Sequence, residues 1–188
     1  MVQATLDQME AGGIYDQIGG GFHRYAVDAV WLTPHFEKML YDNAQLARVY
    51  AGAFRLTGEE RLRFVAEDTL AYLLREMHPA AAPAAYASAQ DADAEGIEGR
   101  FHVWMLAELG SVLCADAQAA ARLYGLTEQD TLEHGTSVLE RPWQAALRAE
   151  PDLCSEASAS RGRAVRARIA ASPSAPTPGL SRARQLPA

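Results

Sequence analysis

Two polar stretches, Gly12–Pro34 and Ala85–Trp104, hold most of the side chains that could do chemistry. The first carries His23, Arg24, Tyr25, Asp28 and Trp31; the second carries Asp91, Asp93, Glu95, Glu98 and Trp104. His35, Glu37, Lys38, Tyr41 and Asp42 follow the first directly. Carboxylates beside imidazoles can give and take protons at a sugar or similar polyol. Aromatic faces next to such charges suit a sugar ring, and equally suit the rim of a core. His23, His35, Asp91 and Asp93 are therefore the candidate acid/base residues. Arg24, Tyr25, Trp31, Glu37, Tyr41, Asp42, Glu95 and Trp104 are the candidate substrate contacts. Each has a plain structural alternative: a packed loop held by His and Arg hydrogen bonds, a salt-bridged helix surface, and a solvated acidic hairpin tip.

Other site classes fit poorly. Gly19–Gly20–Gly21 lets the backbone take positive φ and approach a neighbour closely. It is no dinucleotide fingerprint, because Arg24 stands where a third glycine belongs and no strand precedes it. No G-K-[ST] follows, so it is no phosphate loop. Asp91-Ala-Asp-Ala-Glu-Gly96 matches the opening of a calcium loop, but the twelfth position is His102 where a bidentate Glu is needed. Cys114 and Cys154 have no metal or redox spacing. No metal and no cofactor are expected.

The elements that must position these groups are helical. Val2, Leu6 and Met9 keep a helical period that Gly12–Gly13 stop. Thr33–Pro34 reads as a helix opening, with Thr as N-cap and Pro at the first position. Its stripe would be Phe36, Met39, Leu40, Leu46, Ala47, Tyr50 and Phe54, and Glu37/Tyr41 and Lys38/Asp42 would pair four apart. Thr57–Gly58 ends it. A third helix from near Glu59 has the stripe Leu62, Val65, Ala66, Leu70, Leu73, Leu74 and Met77, closed by Pro79. Strand-like pieces at Ala85–Ser88 and Phe101–Trp104 flank a hairpin tip. Helical patterns resume at Leu106–Cys114, Asp116–Tyr124 and Trp143–Glu150, with Gly125 as a stop. In antiparallel helices every second connection returns to the same end, so the two long loops should share one rim. Long loops in compact domains are usually functional.

The 188 residues suffice for one domain, residues 1–153, with a real core. Residues 154–188 are rich in Ser, Ala, Arg and Pro, lack aromatics, and read as a disordered or aberrant tail. Residues 1–154 hold 23 acidic and 11 basic groups, and residues 155–188 hold one Glu and six Arg. An acidic body argues against nucleic acid, where phosphate contacts need clustered cations. No apolar run suits a membrane span and the start does not read as a signal peptide, so the expected location is cytoplasmic.

Three blocks carry a family resemblance: GGIYDQIGGGFHRYAVDAVWLTPHFEKMLYDNAQLARVY, YASAQDADAEGIEGRFHVW and the weaker SVLERP. Over roughly residues 1–142 they resemble the thioredoxin-domain-containing proteins of the spermatogenesis-associated protein 20 type, also called YyaL-like. The resemblance implies an all-α fold, part of an (α/α)6 toroid similar to six-hairpin glycosidases and N-acylglucosamine 2-epimerases, with a small β-hairpin in a long loop. It also implies a thioredoxin-like domain in cis, which this sequence does not contain, so the chain reads as a fragment. The implied activity, if any, is glycosidase- or sugar-epimerase-like, within carbohydrate metabolism and on a sugar-like small molecule. The alternatives are a non-catalytic binding module of a redox protein and an inactive truncated product.

Overall fold

The structure is a computed structural model that describes residues 1–78, 85–94, 96–114, 117–127, 132 and 135–141. The expected helix at Trp143–Glu150, the stop at Pro79, Glu95 and the residue 154–188 tail lie outside the described residues.

Helix α1 spans Val2–Ala11 and buries Leu6 and Glu10. Helices α2 (Leu40–Thr57) and α3 (Glu60–Glu76) form an antiparallel hairpin. Gly58 turns the chain between them with φ 73°, a left-handed conformation that costs a glycine little. Leu6, Ile14, Tyr15, Phe22, Tyr50, Leu62, Val65 and Ala66 make the core they share. Burying a large apolar side chain contributes about 1.5–3 kcal/mol, so this cluster carries much of the stability. Tyr50 is fully buried because its hydroxyl donates to the Leu6 carbonyl at 2.8 Å. Helices α4 (Leu106–Leu113) and α5 (Ala117–Leu123) build a second core with Trp104, Leu109, Leu113, Tyr124 and Leu139. Ile18, from the first loop, packs into that second core and ties the loop to it.

Short antiparallel pairs organise the loops. β1 (Tyr25–Ala26) pairs with β2 (Pro34–His35), and β3 (Lys38–Met39) pairs with β4 (Ala89–Gln90). β5 (Asp93–Ala94) and β6 (Ile97–Glu98) form the hairpin tip expected in the acidic segment. The described chain is thus mostly helical with small antiparallel sheets. None of its helices is long and apolar enough to cross a membrane.

Three local expectations are corrected. Residues Thr33–Met39 are not helical; the helix opens at Leu40. The cause is Asp28, whose carboxylate accepts the backbone N–H groups of Val30, Leu32 and Thr33. That turn sends the chain back along Tyr25 as a strand, and the Glu37/Tyr41 and Lys38/Asp42 helical spacing does not arise. The strand-like pieces are displaced: the pairing falls on Ala89–Gln90, and of Phe101–Trp104 only Trp104 bridges, to Ser137. On α3, Leu70 and Leu74 are exposed, while Thr69 and Tyr72 take the inward places. Both polar groups are satisfied there, Thr69 by the Val65 carbonyl and Tyr72 by Gln90.

Helices α2 and α3 carry several exposed apolar side chains: Val49, Leu56, Phe64, Leu70 and Leu74. Such surfaces seek cover. The isolated chain is expected to self-associate as its concentration rises, and a Val49→Lys/Leu56→Lys/Leu74→Lys variant to remain monomeric, both measured by sedimentation velocity. A single monomeric species at every concentration would contradict this.

Candidate functional site

Residues 34–39 run extended, so successive side chains point to opposite faces. Pro34, Phe36 and Lys38 are buried, whereas His35, Glu37 and Met39 reach the outer side. This single alternation separates two polar clusters, an inner one around Lys38 and an outer one around His35.

The inner cluster joins both long loops. The Lys38 side chain is 1% exposed, and its ammonium donates to Asp16 Oδ2 at 2.7 Å and to the Gly20 carbonyl at 2.9 Å. It also lies 4.5 Å from the centre of the Tyr72 ring. Asp16 Oδ1 accepts the backbone N–H groups of Ile18 and Gly19. From the second loop, His102 Nδ1 approaches Asp16 Oδ2 at 3.3 Å. The glycine run is needed here: Gly20 and Gly21 have φ of 76° and 75°, and a Cβ at Gly21 would run into the Tyr72 ring. His23 sits 4.6 Å from His102 between ring centres, edge to face, and its Nδ1 meets the Phe36 carbonyl at 2.9 Å.

Electrostatics follow from this packing. Burial would raise the Asp16 carboxyl, but the Lys38 ammonium and the His102 hydrogen bond hold it well below the usual carboxylate range. Burial pushes His23 well below the usual imidazole range, and the His102 and Lys38 charges add to this. Burial also lowers Lys38, against the pull of Asp16. A cleft of about 500 Å³, counted with its open mouth, is walled by Asp16, Lys38, Tyr72, Gln90, Phe101 and His102, with Arg75 and Glu76 beside them.

The outer cluster is exposed. Arg24 Nη1 donates to Glu37 Oε2 at 2.8 Å. His35 Nδ1 meets Glu98 Oε1 at 2.7 Å, and its Nε2 lies 3.8 Å from Glu37 Oε2. Tyr25 stacks on His35 with ring centres 5.1 Å apart, as their facing register in β1–β2 requires. Asp42, on the first turn of α2, has its carboxyl raised, chiefly by partial burial and further by the Glu37 charge, with Arg24 opposing. Tyr41 and Arg24 interact as well. An imidazole oriented by a carboxylate can exchange protons with a bound ligand.

The sequence-derived candidates therefore divide. Arg24, Tyr25, His35, Glu37, Tyr41 and Asp42 converge on the outer face, joined there by Glu98. His23 is in the inner cluster. Asp91 and Asp93 are exposed at the hairpin, where the Asp91 carboxylate accepts the Asp93 N–H. Asp93 faces Glu98 across β5–β6. Trp104 is buried in the α4–α5 core and Trp31 packs against the α1–α3 core, so both side chains serve packing. Asp16, Lys38, Tyr72, Gln90 and His102 were not among the candidates. One signal could have found Lys38: it is the single lysine among 17 basic residues, and a compact ammonium suits a tight buried pair better than a guanidinium fork.

Two outcomes follow. Removing one partner of a buried pair leaves the other charge uncompensated. Lys38→Met is expected to lower stability by about 3–5 kcal/mol in urea unfolding, whereas Arg24→Met, at an exposed pair, should leave the midpoint almost unmoved. For Asp42 the raised carboxyl gives the sign. Its stabilising contribution is complete below the ordinary carboxylate range and disappears as pH rises through the folded value. Asp42→Asn should thus gain stability over the unsubstituted chain at pH 7 and lose that advantage on acidification, read from thermal unfolding across pH. A gain independent of pH would contradict this.

No family model matches the chain. It is 40% identical over 144 residues to spermatogenesis-associated protein 20 of Homo sapiens, covering 68% of this chain and 18% of that protein. The protein of the same name from Mus musculus is 37% identical over 164 residues, covering 74% of this chain and 20% of its own length. An uncharacterised protein of Caenorhabditis elegans is 36% identical over 133 residues, 66% of this chain and 18% of its own length. The chain thus spans about a fifth of the length of these curated relatives. This likeness establishes that the chain belongs to the spermatogenesis-associated protein 20 family.

Proposed function

We propose that the outer cluster is an acid/base site for a sugar-like polyhydroxy compound, and that the α2–α3 hairpin is one unit of an α/α toroid. The observation that carries the reading is the His35–Glu98 pair. It joins the strand after the first loop to the second loop at 2.7 Å, with Tyr25 stacked on His35 and Glu37 linking His35 to Arg24. In this reading His35 is the base, with Glu98 fixing the ring by holding Nδ1, so that Nε2 faces the ligand. Asp42, whose carboxyl is raised chiefly by partial burial, is the partner acid. Arg24 and Glu37 bind hydroxyl oxygens and hydrogens, and the exposed Tyr25 ring offers an apolar face to a sugar ring. Asp91 and Asp93 border the same edge on the hairpin.

In a toroid, loops at one end of paired helices would share a rim. The two long loops do meet, through β3–β4 and through His35–Glu98. A second reading has its own observation. The exposed Val49, Leu56 and Leu74 suit a helical module packed against further helices or a thioredoxin-like domain of a longer protein, without chemistry of its own.

Saturation-transfer NMR with unphosphorylated hexoses and N-acetylhexosamines separates the two. The acid/base reading expects saturable binding of at least one sugar, abolished by Glu37→Gln. Where turnover is measurable, His35→Ala should lower kcat/KM by about 10²–10⁴. Absence of binding by every sugar in the panel would contradict the reading.

A further inference from the structure

Asp16, His23 and His102 offer one carboxylate oxygen and two imidazole nitrogens that all lie within 4.8 Å of one another. We propose that these three residues form a transition-metal site, suited to Zn²⁺ or an ion of similar size and ligand preference. The site is distinct from the outer cluster and does not depend on the reading of that cluster.

The hydrogen-bonded donors of the cluster also stand at the spacing that a shared ion needs. His102 Nδ1 is 3.3 Å from Asp16 Oδ2. A charge-assisted hydrogen bond is shorter, about 2.7–2.9 Å. Two ligands on one tetrahedral ion with bonds of about 2.0–2.1 Å stand roughly 3.4 Å apart. The mixed nitrogen and oxygen donor set suits Zn²⁺.

The surroundings hold the donors as ligands need to be held. His23 Nδ1 meets the Phe36 carbonyl at 2.9 Å, the outer bond that fixes the ring and leaves Nε2 as its electron-pair donor. Asp16 Oδ1 accepts the Ile18 and Gly19 N–H groups, which leaves Oδ2 to face the imidazoles. His102 is packed face to face with Phe36 and edge to face with Phe101. Asp16 and His102 both line the cleft, so an ion has a path in and a fourth position on the cleft side.

Lys38 sets the strength of binding. Its ammonium shares Asp16 Oδ2 at 2.7 Å and repels a dication bound to the same oxygen. Binding is therefore weaker than at a closed structural zinc site. Removing the ammonium should tighten it, and the ion then supplies the charge that Asp16 loses.

The test uses the full 188-residue chain after treatment with a chelator. Calorimetric titration with Zn²⁺ should show one ion per chain, and Co²⁺ should give the intense visible bands of a four-coordinate centre. His23→Ala and His102→Ala should each weaken Zn²⁺ binding at least tenfold, while His78→Gln should not. Zn²⁺ should raise the Tm of Lys38→Met more than that of the unsubstituted chain. The cobalt spectrum and this Tm difference decide the matter if the histidine variants do not fold. Absence of saturable binding, binding that survives both histidine substitutions, or the weak spectrum of six-coordinate cobalt would overturn the proposal.

Discussion

The ion pair of Lys38 with Asp16 is the constraint on which both loops depend. It is buried, so each charge would be costly alone and the two must stay together. Asp16 belongs to the glycine loop and Lys38 to β3. Closing the pair pins the loop to the strand that leads into α2. The remaining bonds build outward from it. Asp16 Oδ1 folds the backbone at Ile18 and Gly19, and the Lys38 ammonium takes the Gly20 carbonyl. Phe22 is fixed next, because Asn43 both accepts its N–H and donates to its carbonyl. A pair of this kind contributes more to a unique geometry than to net stability.

The same constraint produces the outer face. With Lys38 held inward, the strand period turns His35 and Glu37 outward. Pairing of β3 with β4 brings in the second loop, and the β5–β6 hairpin then delivers Glu98 to His35. Inner and outer clusters are thus two faces of one short strand. The inner face is buried except where the cleft reaches Asp16 and His102, which suits ion binding or pure support. The outer face is open and polar, which suits a hydroxylated ligand.

The helical periods at Val2–Ala11, Glu60–Glu76 and Leu106–Leu113 were readable because each has an apolar stripe and a clear end. The two loops were readable as a unit from loop length alone. The segment Thr33–Met39 was misread because Thr-Pro is a strong helix-opening signal, while the deciding interaction is the remote carboxylate of Asp28. Thr69 and Tyr72 point inward against simple hydropathy because each has an internal acceptor, which composition cannot show. Tertiary partners also explain the site. Arg24, His35, Glu37 and Asp42 stood out as polar groups near a helix start. Lys38 and His102 did not, since Lys38 resembled a surface cation and His102 merely broke a calcium pattern.

The central claim is that the two loops form one cooperative unit welded at Asp16 and Lys38. Native-state hydrogen exchange tests it most directly. The amides of Gly20, His23, Arg24, Leu40 and Gly99 bond within or between the loops and to the strand that follows the first. They should open together, with one shared free energy and one shared dependence on denaturant. Opening of Gly99 and Leu40 at a much lower free energy than Gly20 and His23 would show two independent loops and contradict the account.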